Sequence, residues 1–168
     1  MTSEFPYQIV AFLDRTPSQG EPVYYGEHGW YAQIALKRRF KAEGIDETQL
    51  IGRLTDFFQQ TLPFSVRLGG LTQIDRMPVR AIPVDQDEAL TALHIGIIEV
   101  LGDDTASRYP ERDGDNYYPH VTAEYNDEFE IDVSKYEHTE HTIASVWLLK
   151  DTDDQNSIAF HEFSLKLL

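Results

Sequence analysis

The chain contains no cysteine, which removes disulfide staples, thiolate metal sites and a cysteine nucleophile. No run approaches the roughly 18 apolar residues that a membrane span needs. A basic-then-apolar leader pattern is missing at the N-terminus, so a cytoplasmic protein without a membrane partner is expected. Positive charge is scarce: 14 Lys and Arg face 29 Asp and Glu, for a formal net charge of −15. A field of that sign repels polyanions, so long nucleic acid is not an expected partner. No glycine-rich phosphate loop or dinucleotide fingerprint occurs. Gly/Ser linkers, Pro-rich stretches and short-period repeats are also lacking, so the 168 residues read as one compact domain or two small lobes sharing a core.

What is present suffices for a core, with 41% apolar and 12% aromatic residues. Residues 7–13 read as a buried strand, and residues 30–37 as a second. Strand alternation places Tyr31, Gln33, Ala35 and Lys37 on one face and Trp30, Ala32, Ile34 and Leu36 on the core face. Residues 46–62 carry Leu50, Ile51, Leu54, Phe57 and Phe58 at helical spacing, with an Asp46/Gln49 capping box and Pro63 as the stop. Strands are predicted over 64–74, interrupted at Gly69-Gly70, and over 79–84. A second helix follows over 86–101, capped by Asp85 with Glu88 and ended by Gly102. Residues 103–117 have the composition of a mobile surface loop. A strand at 120–125 and a hairpin of 142–150 with 157–167 close the chain. This mixed order predicts an α+β fold rather than a doubly wound parallel sheet.

The segment Tyr117-Tyr118-Pro119-His120-Val121-Thr122 concentrates chemistry. His120 and Thr122, two apart on a strand, address the same ligand group. The imidazole exchanges a proton near neutral pH, and the hydroxyl donates a hydrogen bond to an anionic oxygen. Lys37, Arg39 and Lys41 continue the Gln33/Ala35 face and would form a positive lip; the bland alternative is a solvated strand end. Arg67, Arg76 and Arg80 are further cations that the sequence alone does not place.

Pro119-His120-Val121-Thr122-Ala123 resembles the second motif of the two-histidine (2H) phosphoesterase superfamily. That family includes the 2′-5′ RNA ligase-like proteins and cyclic nucleotide phosphodiesterases. Similar too are Leu62-Pro63-Phe64-Ser65-Val66-Arg67-Leu68-Gly69-Gly70-Leu71 and the closing Phe163-Ser164-Leu165. The resemblance implies one domain over 1–168 with two pseudo-symmetric lobes of antiparallel sheet and flanking helices around a central cleft. Each lobe would present a His-x-Thr/Ser motif. One histidine would act as general base, the other would protonate the leaving oxygen, and the hydroxyls would hold the phosphate, without a metal or cofactor. The first motif departs from the pattern: it falls on Gln33-Ile34-Ala35-Leu36-Lys37, and an amide does not titrate.

His120 and Thr122 are therefore the expected catalytic pair, with Gln33, Lys37, Tyr31, Tyr118 and Arg39 as substrate-binding residues. His28 lies close enough in sequence to stand in for the missing imidazole, although a loop histidine is ordinarily just solvated. His138-Thr139-Glu140-His141 lacks the order of a zinc protease motif and reads as an exposed turn. His94 is read as flanking the core and His161 as a surface or cross-strand residue. The aspartate clusters lack a full calcium-loop pattern. The expected ligand is a small phosphodiester or nucleotide. Two functions remain open: a phosphodiesterase acting on a 2′,3′-cyclic phosphate or 2′-5′ linkage, and a non-catalytic nucleotide- or protein-binding module.

Overall fold

Asp46 starts the first helix by a reciprocal cap. Its carboxylate accepts from the Gln49 N–H at 2.8 Å, and the Gln49 side chain accepts from the Asp46 N–H at 2.9 Å. A computed structural model describes residues 3–24, 30–74, 79–125, 129–152 and 156–167. In chain order the elements are β1 (Tyr7–Phe12), β2 (Gln33–Ala42), α1 (Glu47–Phe58), β3 (Phe64–Leu68), β4 (Thr72–Gln73) and β5 (Val79–Asp85). Then come α2 (Glu88–Leu101), β6 (Thr105–Ser107), β7 (His120–Tyr125), β8 (Phe129–Glu130), β9 (Glu140–Ile143), β10 (Ser145–Asp151) and β11 (Ser157–Ser164).

The strands form an antiparallel sheet in the order β11-β10-β1-β2-β7-β5-β3-β9, with β4, β6 and β8 pairing alongside β5, β2 and β7. Two four-stranded halves meet where β2 pairs β7 through a single register position, Ile34 opposite Val121. Both of these side chains are fully buried, and each such burial is worth roughly 1.5–3 kcal/mol. The predicted strand over 142–150 is in fact two strands. Ala144 joins β9, one edge of the order, to β10, the second strand from the other edge. One residue can bridge the two only if the sheet curls, and that curl creates a concave face.

The convex side packs on both helices. Leu50, Leu54 and Phe58 of α1 and Leu90, Leu93, Ile97 and Leu101 of α2 join Ile9, Ile34, Leu36, Val121 and Ile82 in the main core. Gly96 permits the close approach of the helices: a Cβ there would sit 2.7 Å from the Phe57 ring. On the opposite face a smaller cluster of Val10, Phe12, Val23, Tyr31, Trp147, Leu149 and Ala159 fills the ground under the loop between β1 and β2.

Three local expectations change. α1 ends at Phe58, and residues 59–61 turn with hydrogen bonds to Thr55, Phe57 and Phe58 carbonyls. α2 is capped by Asp87 without a side-chain hydrogen bond, because Asp85 is still the last residue of β5. The segment 103–117 is built rather than loose. It holds β6 and short 3₁₀ turns at Gly102–Asp104, Pro110–Arg112 and Gly114–Asn116.

Candidate active site

The Ile34–Val121 pair fixes what faces the concave side. In an antiparallel pair its neighbours face each other, so Gln33 lies opposite Thr122 and Ala35 opposite His120. All four point away from the main core and line one cavity of about 130 Å³. Gln8 of β1, Arg38 of β2 and the rings of Tyr24 and Trp30 complete its walls. A larger cavity, about 440 Å³, lies between α1 and the end of β11 and contains His161 but none of these groups.

His120 is held by its own backbone. Nδ1 lies 2.8 Å from the Tyr118 carbonyl, an acceptor, so the proton sits on Nδ1 and the Nε2 lone pair is free. Burial is the largest influence on its pKa, and the Arg38 and Arg112 charges add to it. Against the Tyr118 hydrogen bond, which favours protonation, they bring the imidazole down to about 4. At neutral pH His120 is a base, not an acid. The Tyr118 ring stacks near it at 5.6 Å while remaining 46% exposed.

Gln33 is held in place but not saturated. Its Nε2 donates to the Tyr24 hydroxyl, while its buried Oε1 has no partner among the described residues. Turning the amide over lets the Tyr24 O–H donate to Oε1. Burial pushes the Tyr24 phenol up, which keeps it a neutral donor, and Gln8 reaches the same hydroxyl.

The cation in this wall is Arg38, not Lys37. The β1–β2 register shifts twice, between Tyr7 and Ile9 and between Ile9 and Val10, so β2 carries extra residues and its face alternation resets. Leu36 and Lys37 are both buried as a result. Lys37, 3% exposed, forms an ion pair with Asp113 at 2.8 Å and is hydrogen-bonded to Ser107. Arg38 instead faces the cavity. Desolvation, followed by the Arg112 charge, lowers its pKa, and no carboxylate lies within 4 Å of it among the described residues.

The other expected contacts are placed elsewhere. Arg39 is paired with Asp151, which also accepts from Ser157. Lys41 reaches Glu4 and Glu43. Tyr31 sits in the smaller core, edge-on to Phe12, with its hydroxyl on Glu21 and the Arg15 guanidinium over its ring. Trp30, assigned by alternation to the core, lines the cavity because β2 begins only at Gln33. Arg67 and Arg80 lie on β3 and β5, away from the cavity, with Arg80 on Glu124. His28 and Arg76 fall outside the described residues. Sequence reasoning missed Arg38, Arg112, Tyr24 and Gln8; no residue type announces a register shift.

A buried clamp aims the segment that delivers His120. His94 on α2, fully enclosed, donates from Nδ1 to the Leu36 carbonyl at 2.7 Å and accepts the Gly114 N–H at Nε2. Burial keeps it neutral, which this double role requires. The Tyr117 ring stacks on it at 4.1 Å, and the Tyr117 hydroxyl donates to the Ala35 carbonyl. The 105–119 segment is thus fastened along β2 from Lys37 to Ala35.

Among the described residues no helix is long and apolar enough to cross a membrane. Residues 34–155 match the family model of the 2′-5′ RNA ligase superfamily. No curated protein matches the sequence. The fold is similar to that of a solved phosphoesterase, with a TM-score of 0.64 at 11% identity, covering 98% of this chain and 100% of the other. Escherichia coli LigT, solved with ATP, gives 0.59 at 11% identity over 96% and 98% of the two chains. The Thermus thermophilus protein TT0787 gives 0.58 at 16% identity over 96% and 98%. The family match spans well over half of the sequence and contains the His120/Thr122 strand, so the chain belongs to the 2′-5′ RNA ligase superfamily of 2H phosphoesterases.

Proposed function

We propose that the cleft binds a small nucleotide phosphodiester and hydrolyses it with a single histidine. The observation that carries this reading is the β2–β7 register, which sets Gln33 and Ala35 across from Thr122 and His120 in one cavity with Arg38. Non-bridging phosphate oxygens would take the Thr122 hydroxyl, the Gln33 amide and the Arg38 guanidinium. His120 Nε2 would accept a proton from the attacking water as its oxygen bonds phosphorus. The P–O bond to one ribose oxygen breaks, and that oxygen takes its proton from water, since Gln33 has none to give. An imidazole brought down to about 4 is a weak base; a bound phosphate offsets the two arginine charges and strengthens it.

A strained 2′,3′-cyclic phosphate suits such a site, because ring opening supplies part of what a general acid otherwise provides. LigT has been solved with ATP, NADP+ and 3′-AMP, which supports a small nucleotide as the class of ligand here. General acid–base assistance is worth roughly 10²–10⁴-fold per group, so turnover should fall short of a two-histidine site by about that factor.

The test is hydrolysis of 2′,3′-cyclic mononucleotides by the wild type, His120→Ala and Gln33→His/Ala35→Thr. The reading expects slow wild-type turnover, lost in His120→Ala and raised in the double variant. Wild-type turnover that survives His120→Ala would overturn it. The engagement of Gln33 by Tyr24 and the missing hydroxyl at Ala35 favour a second reading, a cleft that binds without turnover. Tight wild-type binding, with activity appearing only in Gln33→His/Ala35→Thr, would establish that reading instead.

A further inference from the structure

Beside the cavity stand two cations to which the reading above gives no phosphate contact. Arg108 and Arg112 both hold their guanidinium groups over the ring of Tyr109, at 5.2 and 5.3 Å. The turn between them is fixed: the Arg108 N–H donates to the Arg39 carbonyl at 2.9 Å, and the Arg112 N–H to the Tyr109 carbonyl at 3.0 Å. Its far end is anchored by the Lys37–Asp113 pair. The Arg112 charge reaches both Arg38 and His120.

Carboxylates outnumber basic side chains 29 to 14 in this chain. Even so, among the described residues none lies within 4 Å of Arg38, Arg108 or Arg112. The nearest candidate, Asp113, is turned inward onto Lys37 and Ser107. The Arg38 and Arg112 charges oppose each other, and the Asp113 carboxylate, already committed to Lys37, offsets this only from a distance. A guanidinium over an aromatic ring keeps N–H donors available for a phosphate.

We propose that Arg108 and Arg112, held over the Tyr109 ring, form a second phosphate subsite next to the cleft. Its occupant is a phosphate of the same ligand, one nucleoside removed from the phosphate at His120. This rests on the cleft being a nucleotide site and names its ligand more narrowly, as a nucleotide carrying two phosphates. Either a 5′-phosphate on a mononucleotide or the preceding internucleotide phosphate of a short strand supplies that chemistry.

The test uses stable, product-like ligands in calorimetric titrations: adenosine 3′-phosphate, adenosine 3′,5′-bisphosphate and the dinucleotide ApAp. The bisphosphate should bind the wild type about tenfold or more tighter than the monophosphate, a gain that shrinks with added salt. In Arg108→Gln/Arg112→Gln the ratio should collapse toward one. Arg108→Gln alone, at an exposed side chain, should reduce it part of the way and keeps the test valid if the double variant is less stable. A gain with ApAp matching the bisphosphate assigns the subsite to a strand's next phosphate; a gain with the bisphosphate alone assigns it to a terminal one. Equal wild-type affinity for mono- and bisphosphate, or a ratio that survives the double variant, overturns the second subsite and leaves the cleft reading standing. If the wild type binds none of the three, both fall.

Discussion

Replacing Asp113 by alanine should destabilise the protein far more than the loss of a surface ion pair. Lys37 is 3% exposed, and its ammonium meets the Asp113 carboxylate at 2.8 Å, the Ser107 hydroxyl and, more distantly, the Phe40 ring at 5.9 Å. With the carboxylate gone, Ser107 is the one remaining hydrogen-bond partner among the described residues, and it cannot neutralise a buried charge. Breaking a buried pair on one side costs about 3–5 kcal/mol, against 0–1 kcal/mol for an exposed pair. For a domain of 168 residues each kcal/mol moves the melting temperature by about 2–4 °C, so a drop of roughly 6–20 °C is expected. The assay is thermal and urea denaturation of Asp113→Ala, Lys37→Met and Lys37→Met/Asp113→Leu. The double variant replaces the pair by apolar side chains of similar size and should recover most of the loss. A single-variant loss below about 1 kcal/mol, or a double variant no better than the worse single, would refute the idea that this pair fastens the segment leading to His120.

Two further outcomes are expected. In an NMR titration of the ligand-free protein, His120 should titrate near 4, the direction that burial and the Arg38 and Arg112 charges impose. Its folded-state pKa lies below the ordinary value of about 6.5, so its contribution to stability is complete above that pH and is lost as pH falls toward 4. A midpoint at or above 6.5 would contradict the site as described, and His120→Phe should remove this part of the acid sensitivity. Asp46→Ala removes one half of a capping box and should cost about 0.5–2 kcal/mol in urea denaturation, with no effect on ligand binding.

The helices and the motif strand were legible because local chemistry announces them. Asp46 with Gln49 marks one helix start, the 3.6-residue stripes mark both helix faces, and His120 and Thr122 share a strand face by alternation alone. Lys37 and Arg38 were not legible. Parity along β2 depends on how many residues it spends opposite β1, and both register shifts come from that pairing, not from a residue type. The segment 103–117 misleads for another reason: its Asp, Arg and Gly content suits a solvated loop. Asp113, Ser107 and Gly114 are instead the partners that two buried side chains, Lys37 and His94, require. The partition of 142–150 at Ala144 follows from sheet closure, a property of the whole fold that no local window contains.

These features are linked. One shift of register on β2 sends Lys37 inward and Arg38 outward, so the same bulge builds the anchor and the cation of the cleft. The anchor then positions the segment that carries Arg112 and delivers His120. The two lobes consequently contribute unlike chemistry to one seam. The β2 side brings an amide and a permanently charged guanidinium; the β7 side brings the imidazole and the hydroxyl. A guanidinium cannot give up a proton at neutral pH and an amide cannot take one, so in the hydrolysis proposed above proton exchange would rest on His120. For the phosphodiester proposed above, such a division would shift the burden of expelling the leaving group onto the substrate's own reactivity.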